Sequence, residues 1–229
     1  MWLIRPPGVY RPQADTWLLA RALREAAVPS GARVLDVGTG TGALSVAAAR
    51  AGAATVTAVD LSRRAVWAAR LNAGVRRLPV RVRHGDALDV AAGDLFDLVL
   101  ANPPYVPAAA DELPARGPAR AWDAGQDGRA LLNRVCAVAP LLLAPGGTLL
   151  VVHSALCGVD ATLLQLRGAG LKTAVVRRQV VPFGPVLSGR AELLRSRGLI
   201  GSGQRYEELV VIRADRPVLS DLGQRSDAA

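Results

Sequence analysis

Three observations predict an α/β fold with a doubly wound, mostly parallel sheet. Short apolar runs alternate with helix-like segments along most of the chain, a glycine loop follows the first run, and carboxylates stand at the ends of the first three. At 229 residues and 51% apolar content, one compact domain with a full core accounts for the whole chain, 1 to 229. Only 4% of residues are aromatic, so that core must be built from Ala, Val and Leu.

The runs are RVLDVG (33 to 38), TVTAVD (55 to 60), VRVRH (80 to 84), FDLVLA (96 to 101), TLLVVH (148 to 153) and TAVVRR (173 to 178). Most are continuous rather than alternating, as strands covered on both faces should be. Residues 42 to 51 and 62 to 73 carry alanine-rich helical patterns, the second opened by Ser62 as an N-cap. A last strand, ELVVIRA (208 to 214), precedes a polar tail, 215 to 229, that is expected to fray. Between the sixth and last strands, 180 to 206 is too long for a turn and contains a helix near Ser188 to Arg197, so it is taken as an insertion.

The formal charge of +9 and pI near 11 favour an acidic partner such as nucleic acid. Against that, Lys172 is the only lysine, a bias that codon choice in a GC-rich genome explains, and the arginines read as scattered, with short clusters at Arg76-Arg77 and Arg177-Arg178. Cys136 and Cys157 form no metal-ligand pattern and suit a reducing compartment. The start MWLIRPPGVY lacks the apolar stretch of a signal peptide, and Pro140, Pro145 and Gly146-Gly147 cut 137 to 152 into pieces too short to span a bilayer. A cytoplasmic protein with no membrane association is expected.

In VLDVGTGTGALS a strand runs through Gly38, Gly40 and Gly42 into a helix, which lets backbone approach a ligand and aims helix N-terminal N–H groups at it. The spacing differs from the dinucleotide fingerprint, and Asp36 within the strand would repel a pyrophosphate but can accept from the ammonium of an amino-acid-bearing cofactor. Asp60, about 20 residues beyond the glycines, is placed to take both ribose hydroxyls of an adenosine. Asp86 in HGDAL can accept from an adenine amino group, with Ala87 and Leu88 lining the ring. Each acid alone also suits a helix cap, but all three converge on one crevice at the strand ends.

LVLANPPY ends the fourth strand in the same crevice. Its prolines stiffen the turn, so that the Asn102 side-chain oxygen and the Pro103 carbonyl can receive the two hydrogens of a planar -NH2 while Tyr105 stacks on it. A rigid loop at a strand end is the plain alternative. His84 and His153 lack an obvious acid partner and are read as structural.

With VLDVGTGTGALS, AVD, HGDAL and NPPY in this order, the chain resembles the class I S-adenosylmethionine-dependent methyltransferases over about residues 9 to 213. The resemblance implies a Rossmann-like, seven-stranded sheet with a reversed last strand and helices on both faces, and PLLLAPGGTLLVV looks like the family's helix, Pro-Gly-Gly turn and fifth strand. It also implies that Asp36, Gly38, Thr39, Gly40, Gly42, Asp60, Leu61, Asp86, Ala87 and Asn102 contact S-adenosyl-L-methionine. Asn102, Pro103, Pro104 and Tyr105 would carry transfer, without a metal. GVYRPQADTWLLARAL (8 to 23) and AWDAGQDGRALLNRV (121 to 135) are similar to segments of the short HemK-like protein glutamine methyltransferases. Pro12, Asp15 and Thr16, in a segment spanning 1 to 28, would then cover the cofactor's methionine end, and Asp127 also suits a helix cap.

The resemblance implies a glutamine in a protein such as a release factor as methyl acceptor, and a small partner subunit as in the short forms. A separate helical N-terminal domain, general among bacterial release-factor enzymes, is not expected, and the 180 to 206 segment departs from the short form. Three alternatives stay open: methylation of adenine or guanine amino groups, of a small molecule, or cofactor binding without catalysis.

Overall fold

The computed structural model describes residues 1–26, 29–90 and 93–218; the tail beyond 218, expected to fray, lies outside them. Seven strands, β1 (Arg33–Val37), β2 (Thr55–Asp60), β3 (Val80–His84), β4 (Phe96–Ala101), β5 (Leu143–Ser154), β6 (Lys172–Pro182) and β7 (Tyr206–Asp215), form one sheet in the order β3-β2-β1-β4-β5-β7-β6. Neighbours are parallel from β3 to β5, whereas β7 runs antiparallel to both β5 and β6. The central strands are buried nearly throughout, while the edge strands β3 and β6 are mostly half-buried or exposed.

Helices cover both faces. On one, α1 (Ala14–Glu25) and α2 (Ala43–Arg50) pack Leu19, Leu23 and Leu44 on Val34, Leu100, Leu150 and Val211. Beside them α3 (Arg63–Gly74) lays Val66 and Ala69 on Ala58 and Val82. On the other face α4 (Ala87–Val90), α5 (Ala130–Leu142) and α6 (Val159–Gly168) place Leu132, Val135 and Leu166 on Leu35, Val99, Leu149 and Ile212. Alanine at the contact positions of α2 and α3 lets helix and sheet approach closely, which is how a core so poor in aromatics fills. Ser62 caps α3 as expected, its Oγ accepting from Ala65 N at 3.4 Å.

Two boundaries differ from the sequence reading. β5 begins at Leu143, five residues early, because Ala144 to Gly147 loop out within the strand: Phe96 pairs with Leu143 and Leu98 with Thr148. A Cβ on Gly147 would stand 2.8 Å from two carbonyl oxygens, so only glycine closes that bulge. The β6–β7 ladder continues to Pro182 opposite Tyr206, which leaves 183 to 205 as the connection. That connection holds two short helices, α7 (Pro185–Gly189) and α8 (Ala191–Ser196), where one was expected. Among the described residues no helix is long and apolar enough to cross a membrane.

Candidate active site

The glycine loop after β1 is tied to the end of β2, and the turn after β4 contacts the N-terminal segment. Gly38, Gly40 and Gly42 all have positive φ, at 69°, 57° and 80°. A Cβ on Gly42 would press on Ala69 of α3 at 3.2 Å, whereas one on Gly38 or Gly40 would meet nothing within 4 Å. The first two glycines therefore keep an open cradle, and the third serves helix packing. Gly38 N and Thr39 N both donate to the Val59 carbonyl at 3.0 Å, which ties the loop to β2.

Asp36 is fully buried. Its Oδ2 accepts from Thr39 Oγ1 (2.7 Å) and Ser45 Oγ (2.5 Å), while Oδ1 is buried with no hydrogen-bond partner. Burial raises its carboxyl above the usual range, and the two hydroxyls only partly offset this. A buried carboxylate oxygen without a donor is costly, and a cationic ligand group would relieve it. Asp60 accepts from Gly40 N (2.9 Å) on one oxygen and Ser62 N (2.8 Å) on the other, and burial raises it too. Leu61 is exposed beside it, and its carbonyl lies 3.1 Å from His84 Nε2.

Asp86 is ion-paired to Arg134 of α5 at 2.9 Å, a competitor for the expected adenine contact. Ala87 is buried in the core on that face, and Leu88 lies outside the residues whose side chains are described. Pro12 is half-buried just ahead of α1.

The N-terminal segment docks on the Asn102 turn. Asn102 Nδ2 donates to Thr16 Oγ1 at 3.3 Å, and Thr16 Oγ1 donates to Asp15 Oδ1 at 3.1 Å. Asp15 Oδ2 accepts from both Tyr105 (3.1 Å) and Tyr10 (2.8 Å) hydroxyls. Burial, then the Asp15 charge, pushes the Tyr105 phenol far above its ordinary range, so it stays neutral and keeps donating. Residues about 90 apart in sequence thus orient the Tyr105 ring and the Asn102 amide together.

The 121 to 135 segment also holds this turn. Val106 N donates to the Trp122 carbonyl at 2.7 Å and Ala108 N to that of Gly125 at 2.8 Å. Gly128 lies so close under Tyr105 that a Cβ there would be 2.5 Å from its carbonyl, which also accepts from Cys157 Sγ at 3.0 Å. Arg129, buried, donates to the carbonyls of Cys157 (2.5 Å) and Gly158 (3.1 Å) and to Thr162 Oγ1 (3.0 Å). Asp127 Oδ1 accepts from Arg129 N at the start of α5. Burial pushes the Cys136 and Cys157 thiols to about 11 and about 12, so neither is a thiolate at neutral pH.

Glu207 belongs to no motif in the sequence. It is 8% exposed, with Oε2 unpartnered, and burial together with the Asp15 charge raises its carboxyl. It shares the inward parity of Leu209 and Val211, a signal available in EELVV. Tyr10 and Ser45 were likewise visible as residues, but not as partners of Asp15 and Asp36.

His153, fully buried on β5, is pushed down to about 4 by burial, with Nδ1 2.8 Å from the Ser154 carbonyl and Nε2 unpartnered. The unfolded chain binds this proton more tightly, so stability is complete above about pH 6.5 and is lost as pH falls toward 4. Between pH 7 and pH 5 this costs about 2 kcal/mol. Urea unfolding of His153→Asn should therefore lose that much less than wild type over the same interval; equal losses would contradict the assignment.

Over residues 1–115 the chain matches the family model of the methyltransferase small domain. It is 34% identical over 177 residues to a Methanocaldococcus jannaschii protein provisionally named a protein N5-glutamine methyltransferase, covering 77% of this chain and 88% of that one. It is 39% identical over 194 residues to the release factor glutamine methyltransferase of Deinococcus radiodurans, covering 82% of this chain and 66% of that protein's length. Among solved structures, the E. cuniculi two-protein complex responsible for methylating the eRF1 translation termination factor matches with a TM-score of 0.59 at 20% identity, over 91% of this chain and 99% of that one. The sheet order, the glycine cradle and these relatives agree: the chain belongs to the methyltransferase small-domain family, among the protein N5-glutamine methyltransferases.

Proposed function

We propose that this methyltransferase uses S-adenosyl-L-methionine to methylate the side-chain nitrogen of a glutamine in a protein such as a peptide chain release factor. The observation that carries the reading is the Asn102 contact: with Nδ2 committed to Thr16, Oδ1 is left as a fixed acceptor beside the oriented Tyr105 ring. The residues fit the cofactor. The orphaned Asp36 Oδ1 suits an ammonium, the Gly38 and Gly40 cradle has room for backbone approach, and each Asp60 oxygen retains accepting capacity for a ribose hydroxyl. When bound, the cofactor supplies an electrophilic methyl group on a sulfonium.

The chain's own contribution is alignment. Asn102 Oδ1 and the Pro103 carbonyl accept the two hydrogens of the acceptor -NH2, the Pro103-Pro104 pair limits motion of the turn, and Tyr105 stacks on the planar group. Neutral amides are weak nucleophiles, so holding one in the reactive orientation is where the binding energy acts. The Asp15 carboxylate, which accepts from the Tyr105 and Tyr10 hydroxyls, adds negative character beside the turn, which suits a neutral amide better than a phosphate-flanked base.

Residues 183 to 205 form a lid over the acceptor side in this reading. Leu187, Leu194 and Ile200 pack on Val106 with Tyr105 and Trp122 at the margin, and Arg197 donates to the carbonyls of Ala108 (2.7 Å) and Ala109 (2.9 Å). Arg190 pairs with Asp123 at 2.6 Å. Replacing 185 to 200 by a short Gly-Ser turn should spare cofactor binding and lower transfer at least about tenfold; undiminished transfer would rule the lid out.

The central test is transfer of labelled methyl from S-adenosylmethionine to fractionated cell lysate, treated with protease or nuclease. Label lost with protease, retained with nuclease and mapped to a glutamine supports the proposal; label lost with nuclease overturns it in favour of a base amino group. Cytoplasmic location and a small activating subunit belong to the same proposal, the latter tested by co-purification.

A further inference from the structure

The positive charge is not scattered. Residues 61 to 85 hold seven arginines and no Asp or Glu, so seven of the nine net positive charges lie in this stretch. The fold gathers it into α3 and the edge strand β3. Six of the seven, Arg63, Arg64, Arg70, Arg77, Arg81 and Arg83, are exposed, and among the described residues none of the seven pairs with a carboxylate, although ion pairs form elsewhere.

An aromatic ring stands inside this field. Trp67 is 54% exposed, one turn after Arg63 and Arg64 and one turn before Arg70. Hollows of about 380 and 400 Å³ flank it, the first lined by Pro6, Pro7, Arg63 and Arg64, the second by Arg63, Val66, Arg70 and His84. Arginine on an edge strand guards against sheet-to-sheet association, but that role needs neither the missing acids nor an exposed tryptophan between hollows. A membrane anchor would need an apolar stripe, and the other apolar residues along the middle of α3 (Ala65, Val66, Ala68, Ala69) are buried. An acidic protein segment would use the charge but not the ring. Phosphates on the arginines with a base stacked on Trp67 use both.

We propose that the α3–β3 edge binds single-stranded nucleic acid, one base stacking on Trp67 and the backbone following the arginines around β3. β3 is three strands from β4, about 14 Å at ordinary strand spacing, so the acceptor turn stays accessible. The surface is separate from the acceptor site and does not depend on what is methylated.

The test is fluorescence anisotropy with labelled 15-nucleotide RNA and DNA single strands across a salt series, on the intact protein. Trp67→Ala should weaken binding at least about fivefold with an unchanged salt slope. Replacing Arg63, Arg81 and Arg83 together by alanine should lower the slope of log K against log salt by about 2. Replacing Arg24, Arg167 and Arg205, which removes the same charge elsewhere, should leave most of the affinity, and thermal melts of each variant separate lost binding from lost folding. Equal losses in the two triple variants, no effect of Trp67→Ala, or polyglutamate or anionic vesicles binding as tightly as the oligonucleotides would each overturn the proposal. Methyl transfer to a protein acceptor is read separately, so either proposal can fail alone.

Discussion

Asn102→Ala is expected to lower kcat for methyl transfer at least about 100-fold while changing cofactor affinity far less. The side chain supplies one of the two acceptors proposed to orient the -NH2, and its own direction is set by the 3.3 Å bond to Thr16 Oγ1. Removing the oxygen frees the acceptor nitrogen to rotate out of line, a loss that falls on the transition state more than on binding. Thr16→Val, which removes the support and keeps the acceptor, should cost only about 2- to 10-fold, the worth of one hydrogen bond. Single-turnover kinetics with saturating cofactor would decide. A kcat within tenfold of wild type for Asn102→Ala would remove Asn102 from the reaction.

Gly128→Ala is expected to destabilise the protein by about 3 kcal/mol or more, and to displace the turn from Asn102 to Tyr105 in whatever fraction folds. The new Cβ would lie 2.5 Å from the Tyr105 carbonyl and 2.9 Å from Cys157 Sγ, at a φ of +72° that a side chain resists. The obstruction is backbone, so it cannot swing aside. Gly125→Ala is the comparison: φ is similar, +79°, but the nearest atom is an Asp111 carboxylate oxygen at 3.3 Å, and about 1 kcal/mol is expected. Urea midpoints measure both. Equal losses would mean that the approach to Tyr105 is relieved elsewhere at little cost.

Both predictions depend on contacts that the sequence shows only in part. NPPY could be placed at a strand end from its own residues, because an apolar run that stops at Asn-Pro-Pro is a strand leaving a sheet. Its support by Thr16 and Asp15 could not, since no local rule pairs residues 86 to 90 positions apart, nor does one bring Gly128 under the Tyr105 carbonyl. Likewise, Asp86 reads as an adenine partner in HGDAL, and only the folded chain brings Arg134 to it. The arginines between 63 and 83 look scattered along a line and become one surface when α3 packs beside β3.

What the sequence determined by itself is therefore what depends on near neighbours: the strands, from apolar runs; the glycine cradle, from positive φ that side chains resist; the stiff turn after β4, from proline. The tertiary structure alone decided the insertion of β7 between β5 and β6, the orphaned oxygens of Asp36 and Glu207, and the lock of Asp15 on Tyr105. Those depend on which distant surfaces exclude water from one another, and burial is a property of the packed whole rather than of any segment.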